Sequence, residues 1–456
     1  MCIRDRLRAS LGPPPPEGEE YRRERLITIS YMKTVPYWTD RTPRPDGLTV
    51  EEPPSTADVV IVGAGVTGLT AARRLADLGR SVVVVDAMHL GEGASAMNGG
   101  QLNYGLKPGN TALTKRFGAD TARALWDASL EAIDMAERFS IEDDFDAGFR
   151  RCGAVSLGYR TGGIAGARAE SASLKDMYGF ESTVVEGDDL PSVIGSDAFA
   201  FAVVSGADAA FDPAKYNFGL AGGVARRGVP IVDNCTVTGL YRSGATHFVA
   251  TSKGTIQAAD VLLATNGYTP EDLAPDVRRQ VVPIGSYMVA TVPLDPDLLE
   301  RLMPGNRVFW TRRRFLNYFR RSEDDRLLFG GRPNLSPNLD LPQVAEGMQT
   351  AIGELFPDLE GVELTHVWGG KLAATFDLLP HLGQTDSGVW YAVGYGGHGM
   401  SLATYLGTAA GGLLGGATDD DPFLGLPHPT RFYYRAKPWF LSAGGVVFRN
   451  LDRIGR

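Results

Sequence analysis

The sequence predicts an α/β protein of two domains, one carrying a doubly wound parallel sheet and the other an α+β unit built on a mainly antiparallel sheet. Three observations predict it. A strand, a glycine-rich turn, a helix and a second strand follow one another between Ala57 and Asp86. Short apolar runs return between Val229 and Ala264 and again between Val281 and Gly331, separated by turns. The chain has 456 residues, enough for two domains each with its own core.

The first unit is the most informative. Val59 to Val62 is an apolar run without charge, as a parallel strand buried on both faces requires. Gly63, Gly65 and Gly68 follow in G-x-G-x-x-G spacing: the first allows the tight turn, the second lets a pyrophosphate approach the backbone, and the third brings helix and strand together. Ala64, Val66 and Thr67 complete this turn at a helix N-terminus, where free amides favour phosphate. Leu69, Ala72, Leu75, Ala76 and Leu78 keep helical spacing, and Gly79 closes the helix. Ser81 to Val85 then ends in Asp86, eighteen residues after Gly68, with Ala87 beside it. A carboxylate there accepts from ribose hydroxyls. This order defines a Rossmann-type domain, and the acid disfavours a 2′-phosphate, which leaves FAD or NAD.

The continuation separates the two. Gly91 to Gln101 reads GEGASAMNGGQ, a small-residue loop where an NAD domain would enter another βα unit. Gly99 and Gly100 admit backbone amides against a flat ring, while Ser95, Asn98 and Gln101, with Ala94 at the start, offer hydrogen bonds to phosphate or ring edge. At these residues the sequence resembles the FAD-dependent amine and amino-acid oxidases of the D-amino-acid oxidase (DAO) superfamily. GAS-x-x-NGGQ is most similar to its gamma-glutamylputrescine oxidase branch. The resemblance runs from about Tyr37 to the C-terminus. It is reinforced by the G-x-x-G-H-G stretch Gly394, Gly396, Gly397, His398 and Gly399, followed by Met400, which lies between an apolar strand and a helix.

Composition sets outer limits. A formal net charge of −9 argues against a nucleic-acid partner, because phosphate contacts need a basic face. Cys2, Cys152 and Cys235 are widely spaced and odd in number, which reads as a reduced, cytoplasmic chain without a disulfide framework or a metal site. Residues 1–31, with four consecutive prolines at Pro13 to Pro16 and no apolar signal core, read as a disordered or spurious leader, with Met32 as the natural start. No apolar run reaches the length of a membrane span. The tail carries Trp439, Phe440, Leu441, Val446 and Val447 among basic residues; packing on the protein surface is expected of it, with a peripheral membrane contact as the alternative.

The organisation expected along the chain alternates between the two domains. After an extended arm at 32–56, the FAD-binding domain takes 57–145, 212–283 and 365–418, the substrate domain takes 146–211 and 284–364, and 419–456 is the tail. One helix is expected over Thr111 to Phe139, with Trp126 in the core, and an N-capped helix starts at Asp212 and Pro213. Cys152 reads as a small buried hydrophobe. Arg312 to Arg314 read as a partly solvated run, since three adjacent residues cannot share one strand face.

The resemblance implies more than the residues alone do. It places Val237 near adenine, the turn Thr265, Asn266 and Gly267 against the cofactor, and the Gly394 to Met400 loop at the flavin N1–C2=O edge. It implies hydride transfer from a C–H bond to flavin N5, giving an imine that hydrolyses, with oxygen as the expected acceptor. No strong base is required if an aromatic, partly dry pocket lowers the ammonium pKa. Tyr287, Tyr318, Trp368 and Tyr395 are the aromatic candidates, with Lys371 near the ring and Arg320 sharing strand parity with Tyr318. His398 is either catalytic or a loop-shaping residue. Gly370 stands where sarcosine-oxidase-like relatives carry the cysteine that bonds to flavin, so the FAD is expected to be non-covalent. Ser401 replaces their carboxylate-binding lysine, which favours a longer, gamma-glutamylated amine. The alternatives are a D-amino-acid-type dehydrogenase handing electrons to a quinone, and a non-catalytic flavin-binding subunit.

Overall fold

The computed structural model describes residues 32–441 and Gly445, apart from Pro333 and Ala436. The expected leader, Cys2 and the Val446–Val447 pair lie outside the described residues. In chain order, α1 (Tyr37–Arg41) precedes β1 (Thr56–Val62), α2 (Val66–Asp77), β2 (Val82–Val85), α3 (Ala94–Met97), β3 (Gln101–Leu102), α4 (Asn110–Phe117) and α5 (Ala119–Glu142). Next come β4 (Ala154–Gly158), α6 (Ile164–Tyr178), β5 (Ser182–Glu186), β6 (Phe201–Ser205), β7 (Ala209–Ala210) and α7 (Pro213–Arg226). They are followed by β8 (Ile231–Val232), β9 (Val237–Ser243), β10 (Thr246–Thr251), β11 (Gly254–Leu263), α8 (Pro275–Arg278), β12 (Val281–Thr291) and α9 (Pro296–Leu302). The chain continues through β13 (Val308–Thr311), β14 (Asn317–Arg321), β15 (Leu327–Gly331), α10 (Leu341–Leu355), β16 (Leu364–Thr375), β17 (His381–Gln384), β18 (Trp390–Val393) and α11 (Gly399–Leu414).

The first sheet has the order β17-β18-β11-β1-β2-β8, with the β9–β10 hairpin attached to β11. Its central pairs, β1 with β2 and β11, are parallel. Strand β1 shows why: Val59 and Ile61 face a core shared with the helices, while Val60 and Val62 face a second core with Cys235, Val249 and Ile256. Period-2 alternation between two apolar layers is what buries both faces of a parallel strand.

Helices α2 and α11 lie side by side and run parallel. Gly407 and Gly411 on one face of α11, and Gly415 just past its end, recur every fourth residue. A Cβ on Gly407 would overlap the Thr70 hydroxyl and the Thr67 carbonyl, and one on Gly411 would stand 2.7 Å from Ala71 O. Both N-termini therefore arrive at the same end of the sheet.

The second sheet has the order β16-β12-β15-β14-β13-β4-β6-β5 and is antiparallel except where β13 meets β4. Phe309, Phe319, Phe329, Tyr287 and Val289 form a separate core with Met348, Ile352 and Phe356 on and beside α10.

Two expectations are corrected. The segment 364–375 belongs to the second sheet, because β16 pairs with β12 along its whole length, Val281 to Thr291. The later stretch of the second sheet therefore runs from Val281 to Thr375, and the chain returns to the first sheet with β17. The helix expected over 111–139 is two helices, parted at Gly118, whose φ of +87° no helix residue adopts. Arg312 to Arg314 sit in the β13–β14 hairpin turn, exposed or half-buried, as expected of a partly solvated run. The N-cap at Asp212 is present, its carboxylate accepting from the Ala214 and Lys215 amides. Trp126 is buried and stacks on Tyr178 at 4.8 Å.

Candidate active site

One cavity of about 1140 Å³ lies between the sheets. Single-ligand pockets run to roughly 1,000 Å³, so it has room for a dinucleotide and a substrate. The N-terminal residues of both parallel helices reach it, Val66 and Thr67 from α2, and Gly399 and Met400 from α11. Two helix N-termini thus face one space, each with the positive end of a helix dipole behind it.

Of the residues singled out above, the cavity wall contains Gly63, Gly65, Val66, Thr67, Asp86, Ala87, Ala94, Ser95, Asn98, Gly99, Gln101, Val237, Thr265, Asn266, Gly396, Gly397, His398, Gly399 and Met400. Lys371, Tyr318 and Tyr395 are there too. Asp86 is held in place by the amides of Ala64 and Met88 at 2.7 and 2.9 Å, and burial pushes its carboxyl pKa up. Tyr395 meets Thr67 Oγ1 at 2.7 Å, which ties the second glycine loop to the first. Tyr318 shares a 3.1 Å hydrogen bond with Ser286.

Other candidates stand behind the wall. Gly68, Gly100 and Gly394 are glycines because a Cβ there would overlap Gly63 O, Phe211 O and Thr375 respectively, and Gly267 packs on the Leu372 backbone. Ala64 is buried beside Asn217. Tyr287 does not reach the cavity: it lies in the second core, with its hydroxyl donating to Ser336 O at 3.1 Å and accepting from Leu339 N at 2.8 Å. Trp368 is 2% exposed and donates to Met97 O at 2.8 Å. Arg320 points the same way as Tyr318 but stops short, donating to Phe211 O at 2.8 Å under the Trp38 ring, and its burial lowers its pKa to about 10. With Trp38, which donates to Asn98 O at 2.7 Å, Trp368 and Arg320 brace the 94–101 loop from outside. They are supports, not pocket residues.

The sequence reading missed Arg332 and Lys107. Arg332 follows β15 and enters the cavity beside Gly397; among the described residues no acid pairs with it, and its buried Nε has no hydrogen-bond partner. Burial lowers its pKa, and burial followed by the Arg332 charge lowers that of Lys107. His398 caps α11, and its buried Nδ1 also lacks a partner. Burial, then Lys107 and Arg332, push His398 down to about 4, so the ring is neutral at pH 7. A lone arginine after a glycine pair and a lysine in a loop carry no spacing signal. Cys152 is partly buried with its thiol pKa raised by that burial.

The residues fit a bound dinucleotide. A Cβ on Gly65 would stand 2.7 Å from Ser95 Oγ, which itself accepts from Val66 N at 2.9 Å. The cradle therefore closes around backbone amides, with a buried carboxylate one strand away, the arrangement that phosphate and ribose require. Fold and cavity together define a flavoprotein-type oxidoreductase. The chain belongs to the FAD dependent oxidoreductase (DAO) family, whose model matches residues 58–412. It is 33% identical over 404 residues to a probable oxidoreductase, OrdL, of Rhizobium meliloti (strain 1021), covering 86% of this chain and 92% of that one. It is 28% identical over 406 residues to the gamma-glutamylputrescine oxidoreductase of Escherichia coli (strain K12), covering 88% and 94%. The structure of an L-amino acid deaminase from Proteus vulgaris lacking its specific insertion sequence has the same fold, with a TM-score of 0.67, 21% identity and coverage of 84% and 98%. The protein is thus an FAD-dependent enzyme acting on C–N bonds of amines or amino acids.

Proposed function

We propose that this enzyme oxidises the C–N bond of a gamma-glutamylated amine, giving an imine that water hydrolyses, with oxygen taking the electrons as peroxide. The observation that carries it is the charge of the wall beside α11. Arg332, Lys107 and Lys371 line the cavity with Tyr318 and Tyr395, Arg332 lies close enough to Lys107 and Tyr318 to act on both, and the only acids lining the cavity among the described residues are Asp86 and Glu170. A cationic, aromatic surround disfavours an ammonium and presents the amine neutral, with its lone pair free to assist loss of hydride from carbon. FAD, when bound, supplies the two-electron acceptor. Gly63 to Thr67 would hold its pyrophosphate, Asp86 its ribose and Val237 its adenine. Ser95, Asn98, Gly99, Gln101, Thr265, Asn266 and the 396–400 loop would hold the remainder. The relative from Escherichia coli supports the substrate class.

Anaerobic mixing of the yellow protein with amines tests the reading. A gamma-glutamylated diamine should bleach the flavin, and air should restore the colour with release of peroxide. Loss of colour that air does not reverse would favour a quinone as acceptor; the tail supports that second reading, with Phe432 92% and Trp439 69% exposed. No bleaching by any amine would leave a flavin-binding subunit instead. A cytoplasmic location belongs to the first reading, in keeping with the unpaired Cys152 and Cys235. Among the described residues no helix is long and apolar enough to cross a membrane.

Non-covalent attachment is part of the proposal, because Gly370 offers no sulfur. Acid precipitation should release all the flavin into the supernatant, and colour retained in the pellet would contradict it.

A further inference from the structure

The cavity does not end at the cationic wall. It continues across the open face of the second sheet, and the register shows how. Trp310 pairs with Tyr318 on one side and Ser156 on the other, and Ser156 pairs with Val203. All four line the cavity. They form one cross-strand row, from β14 through β13 and β4 to β6, roofed by the Glu170–Leu174 face of α6.

At the far end stands the acid that the near end lacks. Glu170 and Asp86 are the only acids lining the cavity among the described residues, and Asp86 lies just past the end of β2. Glu170 pairs with Arg312, which also donates to Ser156 Oγ at 3.2 Å. Ser182 donates to Ser171 at 2.9 Å beside them. The side chains of Arg312 and Glu170 are 32% and 53% exposed, and an ion pair so open to water adds little to stability, so it re-pairs with a ligand at small cost.

Resting on the amine-oxidation reading above, we infer that Glu170 and Arg312 form a distal subsite for an amino-acid head group, Glu170 taking its ammonium and Arg312 its carboxylate. Two strand spacings, about 10 Å, separate Tyr318 from Ser156. A substrate arm of about eight bonds, extended at roughly 3.5 Å per three bonds, covers about 9 Å. The reacting carbon of a gamma-glutamylated four-carbon diamine therefore reaches the Tyr318 region while its α-carbon lies near Arg312. The Glu170–Arg312 pair presents both signs of charge, which matches a zwitterionic head group, whereas the wall beside α11 presents no acid to take an ammonium.

The test uses the FAD-loaded full chain, with Arg312→Gln and Glu170→Gln. Two readouts are compared: the ratio of kcat/KM for the gamma-glutamylated diamine over the plain diamine, and calorimetric binding of gamma-glutamyl butylamide, which has the head group but no terminal amine. Each substitution should lower the ratio and weaken binding about ten- to hundred-fold, the range of a charge-assisted hydrogen bond. Ratio and binding within twofold of the parent would overturn the subsite. If neither amine bleaches the flavin while butylamide binding still depends on Arg312, the subsite stands and the amine-oxidation reading falls. If nothing binds or bleaches, both fall.

Discussion

Replacing Gly407 by valine should destabilise the protein by about 3 kcal/mol and leave it largely without FAD. The added side chain meets the Thr70 hydroxyl and the Thr67 carbonyl, and the latter is backbone that cannot turn aside. Overpacking of a tight contact costs about 1–3 kcal/mol, and here the strain falls where α11 must stay close to α2. The consequence reaches the cofactor because the two helices aim their N-termini into the same cavity. Moving α11 outward carries Gly397 to Met400 away from Gly63 to Thr67 and breaks the Tyr395 to Thr67 contact. Gly412→Ala is the matched control. A Cβ there meets Thr418 Cγ2 at an ordinary 3.4 Å, and alanine improves helix propensity, so stability should change by less than about 1 kcal/mol. Thermal melting and the flavin-to-protein absorbance ratio check both. A Gly407→Val protein with full flavin content and parental melting would show that the close approach of the helices is dispensable.

The second large effect is expected at Arg332. Arg332→Met should slow anaerobic flavin reduction about 10²-fold, the loss typical of removing one positioned charge from a preorganised site. The pH profile gives the sign. A nearby cation lowers the ammonium pKa of the bound amine, so removing it raises that pKa and moves the limb of the reduction rate to higher pH. Methionine keeps most of the volume, so a small change in melting temperature would accompany the kinetic loss. A rise in KM alone, with an unmoved pH limb, would mean that Arg332 holds a substrate carboxylate rather than setting the field of the wall.

These two residues also mark the limit of what could be read from sequence. Gly407 is one glycine in a helix that reads as ordinary small-residue packing until α2 is seen against it. Arg332 is one of many arginines, and its isolation from acids exists only in three dimensions. Strand parity was a partial guide: it placed Tyr318 and Arg320 on one side correctly, but could not tell that Arg320 ends on Phe211 O. Tyr287 and Trp368 carry the same aromatic chemistry as Tyr318. What separates them is which core closes over each ring. The run Trp368 to Thr375 reads locally like an approach to the glycine loop, while its ladder with β12 is a long-range pairing that sequence does not show.

The sequence by itself determined the dinucleotide-binding unit, and the Gly91–Gln101 loop beyond it narrowed the ligand from FAD or NAD to FAD. Everything needed is local: two strands buried on both faces, glycines at fixed offsets, one helix start and one acid are encoded within about thirty residues, and each constraint follows from backbone geometry. The tertiary structure alone decided which aromatics reach the cavity, where its charges lie and how closely the two glycine-loop helices approach. Those are properties of contacts between residues hundreds of positions apart, such as Tyr395 with Thr67, and side-chain type and spacing do not specify them.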